Sequence, residues 1–196
     1  MGQTIIEKIF SDHVGRRIEP LENVMVEPDL TCAYELPAYM EKFPYQMKEL
    51  GVEKVKHPER VVIGLDHCYP GGTPEEQEIH KTTWKFVKQF GYNIIEGEGV
   101  SHQVIAERFL KPGMIVLHHD GHACLFGALG AALFPLSGGI IEPLAMESLE
   151  LTCPPTVRVN FHGDLPKGVT GRDVQIEMLR TIGPSGAMNA CIEIGG

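Results

Sequence analysis

Apolar residues recur at helical spacing from the start of the chain. Ile5, Ile6, Ile9 and Phe10 form a stripe, Thr4 and Glu7 make a capping box in front of it, and Gly15 supplies a stop. Residues 19–37 read as extended and turn-rich, and the alternation of Val24 and Val26 predicts a short strand. Arg60–Leu65 is a continuous apolar run between a proline-containing turn and Asp66-His67, which predicts a strand covered on both faces, as in a parallel sheet. A helix should follow, with Thr73 as N-cap, Pro74 in its first position and Glu76 closing the box. Ile79, Thr83, Phe86, Val87 and Phe90 line one of its faces, and Gly91 ends it.

Tyr92–Ile95 predicts another strand, followed by a glycine-rich stretch and a short helix through His102 to Phe109. After the turn at Pro112-Gly113, Met114–Leu117 predicts a second buried strand running into His118-His119-Asp120-Gly121-His122. The small and apolar residues from Gly127 to Leu136 suggest a packed helix broken by glycines. Val157, Val159 and Phe161 alternate with Arg158, Asn160 and His162, as in a half-exposed strand. Thr170 caps a last helix that should turn Val174, Met178, Leu179 and Ile182 inward. With no repeat and no linker in view, residues 1–196 are expected to form a single α/β domain.

Composition narrows the function more than the fold. A formal charge of −9 argues against non-specific binding to nucleic acid or to membranes, both of which favour basic surfaces. The opening residues lack the apolar core of a signal peptide, and the run from Ala123 to Leu136 is too short to span a bilayer. The five cysteines, Cys32, Cys68, Cys124, Cys153 and Cys191, are odd in number and widely spaced, as expected of reduced thiols in the cytoplasm. No Cys-x-x-Cys pair occurs, so the chain has no self-contained iron–sulfur or zinc spacing. Cys32, Cys153 and Cys191 read as small buried hydrophobes.

The chemistry gathers after the two apolar strands. Each ends in a polar cluster with Asp and His, and in an open parallel sheet both clusters would lie at the carboxyl edge, where such folds bind ligands. His102, before the second strand, can reach the same edge. Asp66, His67, Cys68, His102, His119, Asp120 and His122 are therefore the residues expected to converge. An Asp–His pair can hold an imidazole in one tautomer for acid–base work, or the group can hold a metal or its bound hydroxide. Either cluster alone also fits loop capping, whereas two at corresponding strand ends favour a shared site. His13, His57, His80 and His162 read as surface or packing residues.

The order of these motifs resembles the aconitase superfamily. It runs through Leu65-Asp66-His67, Glu98-Gly-Val-Ser-His-Gln103, Pro112-Gly-Met114, Asp120-Gly-His122 and Gly127-Ala-Leu-Gly130. It continues through Leu165-Pro-Lys-Gly-Val169 and Arg172-Asp173 to Ile182-Gly183 and Glu193, and is most similar to the large subunits of isopropylmalate and homoaconitate dehydratases. The resemblance implies a three-layer α/β/α domain with a mainly parallel sheet, like the first domain of aconitase. It implies a lyase of amino-acid biosynthesis that dehydrates and rehydrates a hydroxy-di- or tricarboxylic acid at a [4Fe–4S] cluster. Carried over by motif, Asp66, His67, His102, Asp120 and His122 would be the catalytic residues around cluster and substrate.

Three departures shape the expectation. The family's Asp-Ser-His-Thr reads Asp120-Gly121-His122-Ala123, which removes a hydroxyl near the substrate. The early His-Asp-x-Thr stretch is shortened to Thr31–Glu35 before Pro37. The chain stops at Gly196, where the family continues into domains with the three cluster cysteines and the substrate-gripping arginines; the base serine belongs to a swivelling domain or small subunit. The expectation is a hydro-lyase component that is inactive alone and complete only with those domains or a partner chain. The alternatives are a non-catalytic relic or scaffold domain that has lost the cluster, or a mononuclear-metal enzyme using His67, Cys68, Asp120, His122 and Cys124. The isolated chain is expected to hold no stable cluster and to expose apolar surface, with Ala123–Leu136 contributing.

Overall fold

The computed structural model describes residues 2–36, 40–136 and 141–196, and Pro37 lies outside them. The chain forms two compact units, one of Met25–Leu149 and one of Met1–Val24 with Glu150–Gly196.

The larger unit is an α/β structure on a five-stranded, all-parallel sheet. Its strands are β2 (Leu30–Tyr34), β3 (Val61–Leu65), β4 (Asn93–Glu96), β5 (Ile115–His118) and β6 (Ala132–Pro135), in the spatial order β4-β3-β2-β5-β6. Each pairs in parallel with its neighbour, Cys32 lying between Val62 and His118. The order reverses beside β2: the chain moves outward through β3 and β4, then crosses back to β5. In such sheets the crevice at the reversal, outside the carboxyl ends, is the usual ligand site.

Helices cover both faces, which explains why every residue of β3 is buried. Ala33, Val61 and Ile63 point to one face, against α2 (Phe43–Glu49), α3 (Pro74–Phe90) and α5 (Ile141–Met146). Cys32, Val62 and Val116 point to the other, against α4 (Ser101–Arg108) and the 3-10 turns of Gly121–Leu129. This is the expected three-layer α/β/α arrangement. The local signals around α3 are as read from the sequence: Thr73 caps it with Glu76 reciprocating, and Gly91 ends it at φ 75°. Phe86 is fully buried and packs edge-on against Phe90 and Tyr92. Burying such a ring stabilises by about 1.5–3 kcal/mol.

One expectation for this unit is sharpened and one is corrected. Residues 30–34, read as part of an extended, turn-rich stretch, are the central strand β2, paired on both sides. Gly127–Leu136 is not a helix: the 3-10 turns end at Gly130, and Ala132–Pro135 forms the edge strand β6. In Ala123–Leu136, Ala123, Phe126, Ala131 and Ala132 are buried, while Cys124, Gly127, Ala128, Leu129 and Pro135 are exposed, so the segment contributes part of its apolar residues to the surface.

The smaller unit begins with α1 (Ile5–Val14), whose Thr4–Glu7 capping box and Gly15 stop are present. Ile6, Ile9 and Phe10 are buried, but Ile5 is exposed rather than part of the inner stripe. The short strands β1 (Asn23–Val26) and β7 (Leu149–Thr152) pair with each other, and Val24 and Val26 are buried as expected. β8 (Thr156–Asn160) pairs in parallel with β9 (Cys191–Gly195). α6 (Gly171–Ile182) lies between them in sequence and has the Thr170 cap, yet none of its residues is buried. Val174, Met178 and Ile182 are half-buried and Leu179 is exposed, so the inward face expected for this helix is not formed. Cys32 and Cys153 are buried, but Cys191 is only half-buried.

Candidate functional site

The carboxyl ends of β2, β3 and β5 and the amino end of α4 bring polar groups together into two adjoining clusters. Both begin where a fully buried strand stops, so the first polar residue after each strand is held by the sheet itself.

In the first cluster the chain leaves β3 at Asp66 and His67. The Asp66 Oδ1 atom accepts a hydrogen bond from His67 Nδ1 at 2.8 Å, and Oδ2 accepts the Ser101 backbone N–H at 2.5 Å. Asp66 thus serves as a cap for the start of α4, which Val100 does not cap with its own side chain. Gly64 allows this approach: a Cβ there would lie 2.4 Å from the Ser101 Cβ. Tyr34, the last residue of β2, stacks on His67 with ring centres 4.2 Å apart and lies tilted at 35° against His119, with ring centres 3.9 Å apart. Beneath them lies Glu35, fully buried, whose Oε1 accepts the Cys68 backbone N–H at 2.7 Å. Its Oε2 has no hydrogen-bond partner and lies 3.8 Å from His67 Nδ1. Burial raises the Glu35 carboxyl above its usual range, against the lowering effect of the backbone donors around it.

In the second cluster one carboxylate serves two rings. Asp120 Oδ2 lies 3.0 Å from His102 Nδ1, and Oδ1 lies 2.9 Å from both the ring Nδ1 and the backbone N of His122. The His102 and His122 rings stack 5.8 Å apart at 20°. Burial opposes ionisation of Asp120, but hydrogen bonds from the backbone and ring of His122, with the nearby His102, outweigh it and hold the carboxyl below its usual range. An ionised carboxylate only accepts, so Nδ1 of each ring must carry a proton and Nε2 is left for exchange with a ligand. Behind them His118 is fully buried and takes the Asp120 N–H on Nδ1 at 3.0 Å. Burial pushes His118 down to about 3 and His119 down to about 4, so both are neutral at neutral pH.

The structure brings Asp66, His67, His102, Asp120 and His122 to one sheet edge, with His119 joined through Tyr34. It does not gather the two cysteines considered as ligands. Cys68 is half-buried and its carbonyl accepts from His80, while Cys124 is exposed on the 3-10 turns. Among the described residues, the group of three that could hold a metal ion is Glu35, Asp66 and His67, with ligand atoms within 4.8 Å of one another. Glu35, Tyr34, Ser101 and His118 were not anticipated. The first two were missed with β2; Ser101 was visible only as a neighbour of His102, and His118 as the last apolar-facing position of β5.

A five-stranded parallel sheet covered by helices on both faces, with carboxylate–imidazole pairs at its carboxyl edge, defines an α/β/α fold. The profile of the Aconitase family (aconitate hydratase) matches residues 40–196, and the chain belongs to that family. It is 34% identical over 202 residues to the 3-isopropylmalate dehydratase large subunit 1 of Thermotoga maritima, covering 100% of this chain and 47% of that protein. The homoaconitase large subunit of Thermus thermophilus is 35% identical over 205 residues, covering 99% of this chain and 46% of that protein. The methanogen homoaconitase large subunit of Methanocaldococcus jannaschii is 32% identical over 199 residues, with 98% and 46% covered. The chain therefore spans about half the length of the curated relatives it matches.

Proposed function

We propose that this chain supplies the acid–base face of an aconitase-type hydro-lyase acting on a hydroxy-di- or tricarboxylic acid such as isopropylmalate or homocitrate. The observation that carries this reading is the pair of adjoining carboxylate–imidazole clusters at the carboxyl edge of the sheet in an aconitase-family chain. Removing water from such an acid requires a proton for the departing hydroxide and a base for the neighbouring carbon. Asp66 fixes His67, and Asp120 fixes His102 and His122, each with Nε2 free to carry a proton to or from a bound hydroxy acid. The neutral His118 and His119 place no competing positive charge behind them.

The donors at this edge are carboxylate oxygen and imidazole nitrogen. A [4Fe–4S] cluster needs three thiolates at one place, whereas Cys32 is buried in β2, Cys68 and Cys124 lie on different loops, and Cys153 and Cys191 belong to the other unit. These residues do not fit a cluster, so the reading assigns it to other domains or a partner chain. The partners are then the rest of a large subunit and a small swivelling subunit or domain, in a cytoplasmic biosynthetic enzyme that binds neither nucleic acid nor membrane. No helix among the described residues is long and apolar enough to cross a membrane.

One observation favours the relic reading instead. A Cβ at Gly121 would meet nothing within 4 Å, so the missing serine hydroxyl is not excluded by space. The two readings separate when the protein is purified anaerobically with whatever assembles with it. Iron, sulfide and turnover of isopropylmalate or homocitrate, followed by ultraviolet absorbance of the unsaturated acid, support the hydro-lyase. An assembly with intact cluster and no turnover contradicts it, and an assembly without iron or sulfide supports the relic.

A further inference from the structure

The last part of the smaller unit is a strand–helix–strand segment with nothing inside it. None of the described residues 154–196 is buried, although β8, α6 and β9 are all formed there. β8 and β9 pair with Val157 opposite Ile192, Arg158 opposite Glu193 and Val159 opposite Ile194. Paired residues share a face and neighbours along a strand alternate, so the two faces of this sheet differ in kind. One carries Arg158 and Glu193, which pair at 2.8 Å, and Glu193 also accepts the Ile5 backbone N–H of α1 at 3.2 Å. The other carries Val157, Val159, Ile192 and Ile194, and Phe161 continues it, its N–H reaching the Gly195 carbonyl at 2.7 Å.

The chain thus uses the polar face itself and leaves the apolar one open, with Ile194 65% exposed. A two-stranded sheet is marginal in water, and parallel strands are normally covered on both faces. α6 does not seal the gap: it has no buried residue and adds Ile176 and Leu179 to the exposed apolar surface. Apolar surface gathered in this way marks an interaction site.

Charge and length decide what sits there. Four basic and four acidic residues cancel within 154–196, so the whole −9 of the chain lies in the residues before it. A second copy brings another strongly acidic body alongside, and that repulsion disfavours self-association. The relatives offer a different occupant, because this chain matches only 47% and 46% of the length of two of them.

We propose that the apolar face of β8 and β9, together with α6, is the docking surface for the other half of an aconitase-family large subunit, whether joined to this chain or separate. This rests on the reading of the chain as a hydro-lyase component and names where that component meets the rest. The occupant supplies the missing core of 154–196, as an interface with an apolar centre does. Docking requires neither iron nor turnover, so its failure and that of the hydro-lyase reading are separate results.

The test uses the chain purified natively with whatever assembles with it, carrying Leu179→p-benzoylphenylalanine for cross-linking by light. Cross-links are expected to reach sequence of the large subunit's other half. Backbone amides of β8, α6 and β9 should exchange at least about a hundredfold more slowly in the assembly than in residues 1–196 alone, with those of α3 unchanged. Ile194→Glu should weaken the assembly at least about tenfold, whereas Leu50→Glu, at an exposed position of the larger unit, should leave it intact. Cross-links to a second copy of this chain or to an unrelated protein, or a chain that purifies alone, overturn the assignment. So do amides of 154–196 that are equally slow without a partner, and full assembly in Ile194→Glu.

Discussion

The two clusters at the sheet edge use the same residue types and rest on opposite foundations. Asp66–His67 sits above a buried acid, Glu35, which burial drives toward its neutral form. His102–Asp120–His122 sits in front of a buried base, His118, which burial also drives toward its neutral form. Desolvation thus opposes charge on both inner groups, raising the acid and lowering the base. The comparison teaches that the same burial shifts the two foundations in opposite directions. It also shows a difference in economy, because Asp66 serves one ring and one backbone N–H whereas Asp120 serves two rings.

The largest expected effect breaks that difference directly. In the assembled enzyme Asp120→Asn should lower kcat by about a thousandfold and Asp66→Asn by about a hundredfold, within the range for positioned acid–base groups. Steady-state kinetics on both variants checks the order, and equal losses would mean that the shared carboxylate has no special weight.

Acid should separate the two foundations next. His118 and His119 have folded values of about 3 and about 4, below the 6.5 of unfolded histidine. The unfolded chain therefore takes up protons first as pH falls, so their stabilisation is present above pH 6.5 and is lost progressively below it. The fall by pH 4 should be on the order of 3 kcal/mol for each ring by urea denaturation. Glu35 has the opposite sign, since its raised value stabilises the fold at low pH and that contribution is lost as pH rises through the folded value. His118→Asn, whose amide oxygen can replace Nδ1, should flatten the acid limb, and an unchanged limb would remove His118 from the account.

Gly64→Ala is the smallest of these effects and tests how the clusters are joined. The new methyl would fall 2.4 Å from the Ser101 Cβ, pushing α4 and His102 away from Asp66. Overpacking of this kind costs about 1–3 kcal/mol. Denaturant unfolding reads the cost, and a neutral result would mean that α4 is seated loosely on β3.

The parts of the fold written in local chemistry were legible in the sequence. α3 has its cap, its proline, its stripe and its glycine stop in order, and β3 is apolar along its whole length. β2 was not, because Leu-Thr-Cys-Ala-Tyr carries little strand signal, and its position depends on pairing with β3 and β5, remote in sequence. Losing β2 hid Tyr34 and Glu35, the floor of the first cluster. β6 was hidden because Ala-Leu-Phe-Pro is short and lies among glycines. α6 misled in the other direction: its amphipathic pattern is real, but none of its residues is buried. The outer site residues were readable because each directly follows a buried strand or opens a helix beside it, which fixes them to one edge once the strands are parallel.

The central claim is that this edge moves protons rather than only closing a loop, and His102 tests it most directly. It is held by Asp120 and opens α4 without entering the apolar core. In the assembled enzyme, kcat and the unfolding midpoint of His102→Asn should be measured side by side. The account predicts a fall in kcat of at least about a hundredfold with the midpoint almost unchanged. Intact turnover in that variant would contradict it.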